Sequence, residues 1–287
     1  MDNQSPTICS SPAGNSGMFC FTFDDGTLDH LRIAVPELEK RDWRGTFFIN
    51  TRSNDRPAYR RLKHSQIAEM AARGHEIALH TVTHRVMSDL ESATAWGELA
   101  WEISENLRDL TNITGIRPRT YTAPYGDYPP FMNKILEQKQ ILATPERYCI
   151  DSIARLEREV ERFISPESFT VLAFHGVAPG FGAWGAPSER NFFPEVLDFF
   201  KALEEKIYIG TFDEIGSYRK RRQAAELIQL SAGKFMLELL ESAANFYGAL
   251  TLSTGNVNPQ PIKVNNLPLL TEFGGYFRAF PGDVIEL

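Results

Sequence analysis

Cysteine is scarce in this chain. Cys9, Cys20 and Cys149 are all it has, they follow no regular spacing, and three thiols cannot all pair internally. A disulfide scaffold is excluded, and the redox compartment is left open. Positive charge is short as well: 30 Lys and Arg stand against 37 Asp and Glu, a net charge of −7. That deficit argues against nucleic acid or an anionic membrane as the main partner and favours a neutral or cationic substrate. No apolar run is long enough to span a bilayer. The start, Met1-Asp2-Asn3-Gln4, has neither a basic region nor an apolar core, so no signal peptide is recognisable. The expectation is a cytoplasmic protein, or a secreted one already trimmed. Internal repeats and low-complexity tracts are missing too, and 287 residues give room for one large domain with at most a small appendage.

What is present is an alternation of strand and helix. Residues 1–17, rich in Ser, Pro, Gly and Asn, read as an irregular arm. Strand patterns cover Met18 to Asp24, Gly45 to Asn50, Glu76 to His80, Thr120 to Ala123, Phe169 to Phe174 and Ile207 to Thr211. The stretch Ile141 to Ile150 is ambiguous and has room for one more short strand. Helical spacing runs from about Leu28 to Arg41, Ser65 to Arg73, Ser92 to Leu110, Pro130 to Gln138, Ser152 to Phe163, Pro194 to Glu205, and Phe212 to about Leu230. Ser65 suits an N-cap, and Gly74 stands where a C-terminal glycine belongs. Such alternation predicts a parallel sheet or an α/β barrel of about seven strands. From about Phe235 the pattern changes to short β segments between Gly, Asn and Pro turns, the mark of a small β-rich module.

The ionisable residues fall at strand ends, where α/β barrels build their active sites. The apolar run Met18 to Phe23 ends in Asp24-Asp25-Gly26. Buried carboxylates are costly unless they pair, bind a metal or do chemistry. The plainer reading of the same residues is a strand entering an Asp-Gly turn. In a strand ending at His80, Glu76, Ala78 and His80 share one face, and His75 points away and reads as structural. His80 and His84 stand four apart, so one tight turn brings both rings together. Two imidazoles and a carboxylate are a usual set for a catalytic zinc with a position open to water. The same spacing also suits an ordinary helix face. His175 ends a strand too.

Thr22-Phe23-Asp24-Asp25-Gly26, His80-Thr81-Val82-Thr83-His84 and Leu172-Ala173-Phe174-His175 occur in this order with suitable separations. Over residues 18–222 the chain resembles a polysaccharide deacetylase of the carbohydrate esterase 4 group, the family that shares the NodB homology domain. The resemblance implies a distorted (β/α) barrel, here assigned to residues 18–232, and the change of pattern sets the β-rich module at 233–287. It implies an enzyme that removes N- or O-acetyl groups from sugars with a divalent metal, zinc first and cobalt or another ion as alternatives. It carries the metal ligands onto Asp25, His80 and His84, the general base onto Asp24 and the general acid onto His175. The Tyr125 N–H, after Pro124, becomes the oxyanion donor, and Leu172 the apolar wall of the acetate pocket. An acid at His175 needs a pKa near or above working pH, which a neighbouring carboxylate favours.

Two positions depart from the family pattern. Many members place an arginine, paired with the base, where this chain has Thr122; Arg119, three residues earlier, is the candidate substitute. The family's Asp that pairs with the catalytic His has only Asp151 as a candidate. Trp184, and in the same way Tyr128, is read either as a sugar-stacking ring or as cover for the barrel rim. Cys20 and Cys149 read as small buried hydrophobes. Two other functions use the same residues: hydrolysis of a small cyclic amide, as in allantoinase-like relatives, and carbohydrate binding without catalysis through the β module. Retention of Asp24, Asp25, His80, His84 and His175 together speaks against the last. An open groove would favour a sugar polymer, a closed pocket a small amide, and no pattern fixes an oligomeric state.

Overall fold

The structure is a computed structural model that describes residues 5–53, 60–86, 92–178, 192–240, 246, 248–255, 262–269 and 275–287. A two-residue strand, β1 (Thr7–Ile8), precedes the central one, β2 (Gly17–Asp24), which is buried along its whole length. Burial on both faces is why β2 reads as a continuous apolar run rather than as an alternation. The sheet adds β3 (Thr46–Ile49), β4 (Glu76–Leu79), β5 (Thr120–Tyr121), β6 (Leu142–Ala143), β7 (Arg147–Cys149), β8 (Ser168–Phe174) and β9 (Ile207–Ile209). Seven strands lie side by side, all parallel, in the order β6-β5-β4-β3-β2-β8-β7. The eighth, β9, pairs with the start of β2, beside the place where β3 pairs with its end. The outermost strands, β6 and β7, are consecutive in the chain, with only Thr144, Pro145 and Glu146 between them. Three residues reach across about 10–13 Å at most, so the sheet has to roll until its ends nearly meet. This is the expected distorted barrel.

Strand parity sorts the side chains. Phe19, Phe21 and Phe23 of β2 point outward to the helices and share a buried cluster with Leu172 and Phe174 of β8. Met18 and Cys20 point inward and pack with Val171. Helices cover the outside. A π-helical turn (His30–Ala34) runs into α1 (Val35–Glu39). Then come α2 (His64–Ala72), α3 (Ser92–Thr114), α4 (Met132–Gln138), α5 (Ile153–Glu159), α6 (Phe192–Lys201) and α7 (Phe212–Gln223). Gly74 takes the left-handed conformation just past α2, as expected, whereas α2 begins one residue before Ser65. The start of α7 plugs the lower mouth of the barrel, with Phe212 and Ile215 packed among Met18, Cys20 and Val171.

Three expectations change. The ambiguous stretch holds two short strands, β6 and β7, so the barrel has eight strands in all. The last barrel helix stops at Gln223 instead of near Leu230. Residues 225–231, rich in helix formers, become strand β10 (Ala225–Ser231), because pairing with β11 (Lys234–Leu239) across a turn at Gly233 overrides local preference. The N-terminal arm is tied down: β1 pairs with β12 (Leu250–Ser253), and Thr251 Oγ1 donates to the Pro12 carbonyl (2.5 Å). The remaining strands are β13 (Ile262–Val264), β14 (Leu267–Leu269), β15 (Tyr276–Ala279) and β16 (Val284–Glu286). They complete two antiparallel sheets, β1-β12-β15 and β10-β11-β16-β13-β14. Tyr218 of α7 is part of their core, among Leu237, Leu250, Leu252 and Phe277.

Beneath the barrel, one carboxylate joins four elements. Glu76 is half-buried, accepts from Thr46 Oγ1 (2.8 Å) and the Asp213 N–H (2.9 Å), and bonds Thr120 Oγ1. Burial, joined by the charge of Asp213, pushes its pKa up to about 7. The folded chain then holds a proton here at pH values where the unfolded chain has released it. Stability from this group is complete below the unfolded pKa near 4.5, falls as pH rises, and is lost once pH passes about 7. Glu76→Gln keeps the shape and removes the titration. Urea melts from pH 5 to pH 8 should show wild type losing on the order of 3 kcal/mol at most relative to the variant. Parallel pH profiles would mean that Glu76 ionises freely in the fold.

Candidate active site

Adjacent strand residues normally point to opposite faces. At the end of β2 that rule is broken. Asp25 has φ +75° and Gly26 φ +64°, so the chain turns back and two neighbouring carboxylates converge on one side. Thr81 (φ +63°), His84 (φ +60°) and Tyr125 (φ +57°) adopt the same left-handed conformation. Each costs a non-glycine residue about 1 kcal/mol or more. Four such residues in three loops at one mouth of the barrel mark where surrounding contacts hold the backbone against its preference.

Those contacts are visible. His80 Nδ1 bonds the Thr122 carbonyl (2.8 Å), which fixes the ring with Nε2 facing Asp25. The His80 N–H goes to Asn106 Oδ1 (2.9 Å), and Asn106 Nδ2 donates to the Ile49 carbonyl (3.0 Å). Glu102 Oε2 accepts the N–H groups of Val82 (2.7 Å) and Thr83 (2.9 Å). Glu102 and Asn106, both buried on α3, therefore shape the loop between the two histidines. They were not foreseen. Their signal was in the sequence, as two polar residues four apart on the helix face that carries Leu99 and Ile103.

One ligand atom each of Asp25, His80 and His84 lies within 4.8 Å of the others. Asp25 Oδ1 is 3.1 Å from His84 Nε2 and 3.5 Å from His80 Nε2. Burial alone raises the Asp25 pKa, but its bonds to the two imidazoles outweigh that and hold the carboxyl well below the usual range. Two nitrogens and a carboxylate oxygen, with a carbonyl behind His80 Nδ1, form a donor set that fits a divalent ion such as zinc.

Asp24, 1% exposed, faces the barrel interior beside this trio. Its Oδ2 bonds Arg147 Nη1 (2.5 Å) and lies 3.7 Å from His175 Nε2. Burial raises the Asp24 pKa, and the charges of Arg147, His80 and His175 overcome it, leaving a net lowering. His175 moves against expectation: burial lowers its pKa more than Asp24 and Asp25 raise it. A cleft of about 790 Å³ opens from here, lined by Asp25, His84, Tyr125, Tyr128, Arg147 and His175 among others. Tyr125, Gly126, Pro145, Glu146 and Cys149 form its exposed rim. The Tyr125 ring lies 4.9 Å from that of His84. Tyr128 lines the cleft, and its hydroxyl accepts the Ala123 N–H (3.2 Å) and bonds Thr144 Oγ1 (2.9 Å).

Several expectations fail here. Leu172 is not beside His175. Parity turns it outward into the aromatic layer, while Ala173 shares the inward face with His175. Pro124 is buried under the turn and is not among the cleft-lining residues. Arg119 lies at the opposite end of the barrel, 3.7 Å from Asp213, with its guanidinium over the Phe246 ring. Arg147 of β7 is the arginine that meets Asp24. Asp151 is committed to Arg155 (2.8 Å) rather than to His175. Cys149 is exposed on the rim, whereas Cys20 is buried as expected. His75 is structural, its Nδ1 accepting the Gly45 N–H (3.1 Å). Trp184 lies outside the described residues.

Residues 12–143 match the family model described as polysaccharide deacetylase. Among curated proteins, chitin deacetylase 1 of Cryptococcus neoformans is 25% identical over 107 residues, 37% of this chain and 20% of that protein. Chitin deacetylase 2 of the same organism is 25% identical over 132 residues, 42% of this chain and 27% of that one. The matched chain thus spans about a fifth to a quarter of these relatives. Among solved structures, the peptidoglycan deacetylase PdaC of Bacillus subtilis superimposes with TM-score 0.51 at 16% identity, covering 73% of this chain and 95% of that one. A CE4 family pseudoenzyme from Bacillus anthracis gives TM-score 0.51 at 19% identity, covering 70% and 66%. Both likenesses speak for the fold.

Removing one partner of a buried ion pair strands the other. Arg147→Met should therefore destabilise the metal-free protein by about 3 kcal/mol. In an Asp24→Asn background the same change should cost at least about 1 kcal/mol less. Denaturant melts of the four proteins give the coupling. Additive losses would show that the guanidinium is held by something other than Asp24.

Proposed function

We propose that the region matched by the polysaccharide deacetylase family model, with the barrel around it, hydrolyses acetyl groups from a carbohydrate with the help of a divalent metal, zinc in first place. The observation that carries the reading is the convergence of Asp25, His80 and His84 with Asp24 and His175 at one cleft. Asp25, His80 and His84 would hold the ion, which would supply polarisation of the acetyl carbonyl and acidification of a water. The residues of the chain do the rest. Asp24, kept ionised by Arg147, accepts the proton of the attacking water. The Tyr125 N–H donates to the carbonyl oxygen as negative charge develops there. His175 Nε2 gives a proton to the departing nitrogen. A carbon–oxygen bond forms, the carbon–nitrogen bond breaks, and acetate and a sugar amine leave.

Two of the matched relatives are named chitin deacetylases and a structural neighbour is named a peptidoglycan deacetylase. A polymer containing N-acetylglucosamine is therefore the proposed substrate class. The exposed rim favours it over a small cyclic amide, which calls for an enclosed pocket. The pseudoenzyme among the neighbours keeps a non-catalytic carbohydrate binder as the competing reading. The five site residues, retained and brought together, support turnover.

Metal content and activity separate these roles. Purified protein should hold about one zinc per chain, and His80→Ala close to none. Asp24→Asn should keep the zinc and lose about 10²–10⁴-fold in turnover of an acetylated chito-oligosaccharide. Equal zinc in wild type and His80→Ala would sink the ligand assignment.

His175→Ala tests the acid. Its loss should reach about 10²–10⁴-fold on the amide and shrink on a nitrophenyl acetate, whose leaving group needs no proton. An equal loss on both substrates would remove His175 from the donor role.

A further inference from the structure

The residues just after the two carboxylates bond to the loop that carries His175. Asp29, 1% exposed, stands at the N-terminal end of the π-helical turn and makes no capping bond to it. Its Oδ2 accepts the N–H groups of Val177 (2.6 Å) and Ala178 (3.2 Å), and its Oδ1 accepts Thr27 Oγ1 (2.5 Å). His30, fully buried, bonds the His175 carbonyl through Nε2. A carbonyl oxygen only accepts, so Nε2 carries the hydrogen. The His30 ring is fixed in turn by Phe23 and Phe47, at centroid distances of 5.5 Å and 5.7 Å. None of these groups takes part in the proposed chemistry, yet their burial is expensive unless they are satisfied.

An imidazole that transfers protons is usually aimed by a partner on its second nitrogen. His175 Nδ1 is buried and has no hydrogen-bond partner among the described residues. Its orientation must come from elsewhere. His175 lies one residue beyond β8, past the register that fixes Phe174 against Phe23. The main-chain groups that follow, the His175 carbonyl and the Val177 and Ala178 N–H groups, are those held by His30 and Asp29. We infer that His30 and Asp29 form a main-chain clamp that positions His175, so that the general acid is aimed through its backbone rather than through its ring. The inference rests on the deacetylase reading for what His175 does, but not for where it is held.

The test uses the zinc-loaded full chain. His30→Leu removes the donor, whereas His30→Gln keeps an N–H of similar reach. His30→Leu should lower kcat on an acetylated chito-oligosaccharide roughly 10- to 100-fold, with KM within about twofold. His30→Gln should stay within about threefold of wild type. In a His175→Ala background, His30→Leu should cost nothing further, because there is no ring left to misplace. A substrate-free readout comes from NMR of the histidine rings. The His175 Cε1–H resonance should be a single sharp peak in wild type and His30→Gln, and broadened or doubled in His30→Leu. If His30→Leu fails to fold, Asp29→Asn is read by the same two measurements with the same expectation. The clamp is overturned by an unchanged His175 resonance in the folded variant, or by the same fold-loss with and without the His175 ring. Wild type inactive on every acetylated sugar, with the resonance still dependent on His30, would discard the deacetylase reading and leave the clamp standing.

Discussion

The pairing of Asp24 with Arg147 is the contact on which the rest of the site depends. It places an ionised carboxylate almost without solvent in a barrel interior, which is tolerable only with a counter-charge in place. The strands make that counter-charge available in an unobvious way. Arg147 stands level with Val171 on β8, which is level with Cys20 on β2. Asp24 lies two inward rows above Cys20. The guanidinium therefore approaches the site from beneath, past Thr22 and Ala173, where inward side chains are small. A long, rigidly forked side chain suits that route, whereas a lysine would bring one compact, strongly hydrated charge.

The barrel divides its labour between its two mouths. Its inward rows begin at the bottom with Glu76, Thr46 and Thr120, which tie three strands to the start of α7. They pass through Cys20 and Val171 and end at the top with Asp24, His80 and His175. The lower network fixes the plug, and α7 in turn holds the β-rich sheets through Tyr218, whose hydroxyl donates to the Cys9 carbonyl (2.9 Å), and through Arg221, which donates to the Phe246 carbonyl (3.1 Å). Those sheets thus attach to the helix that closes the lower mouth. Among the described residues, those that line the cleft run from Asp25 to His175, with none from the β-rich sheets.

Much of this was legible in the sequence, and the part that was not has a physical reason. Strand–helix alternation revealed the barrel, because each buried strand is a short apolar run and each helix carries its own periodicity. The trio Asp25, His80 and His84 was legible because its members lie at strand ends within local motifs. Arg147 was not, since its contact with Asp24 spans 123 residues and exists only because the sheet rolls up. Arg119 was a reasonable substitute by sequence distance, but it precedes β5 rather than following it, which places it at the wrong mouth. Leu172 shows a different error. Its apolar character matched an acetate-pocket wall, yet three residues before His175 in a strand is the opposite face. Parity, readable from the sequence, should have outweighed residue type.

The strained backbone connects these observations. Asp25, Thr81, His84 and Tyr125 hold conformations that an isolated chain would leave at once. Their loops are restrained by polar groups: Glu102 and Asn106, buried on α3, Tyr128 through the Ala123 N–H and Thr144, and the Thr122 carbonyl under His80. His175 has the same kind of support in Asp29 and His30. Most of these restraining atoms meet main chain, and at His80 the carbonyl meets the ring nitrogen opposite the one that faces Asp25. Glu102, Asn106, Asp29 and His30 act in this way without being among the cleft-lining residues, and they are polar because hydrogen bonds can hold a backbone where its own dihedral preferences would not.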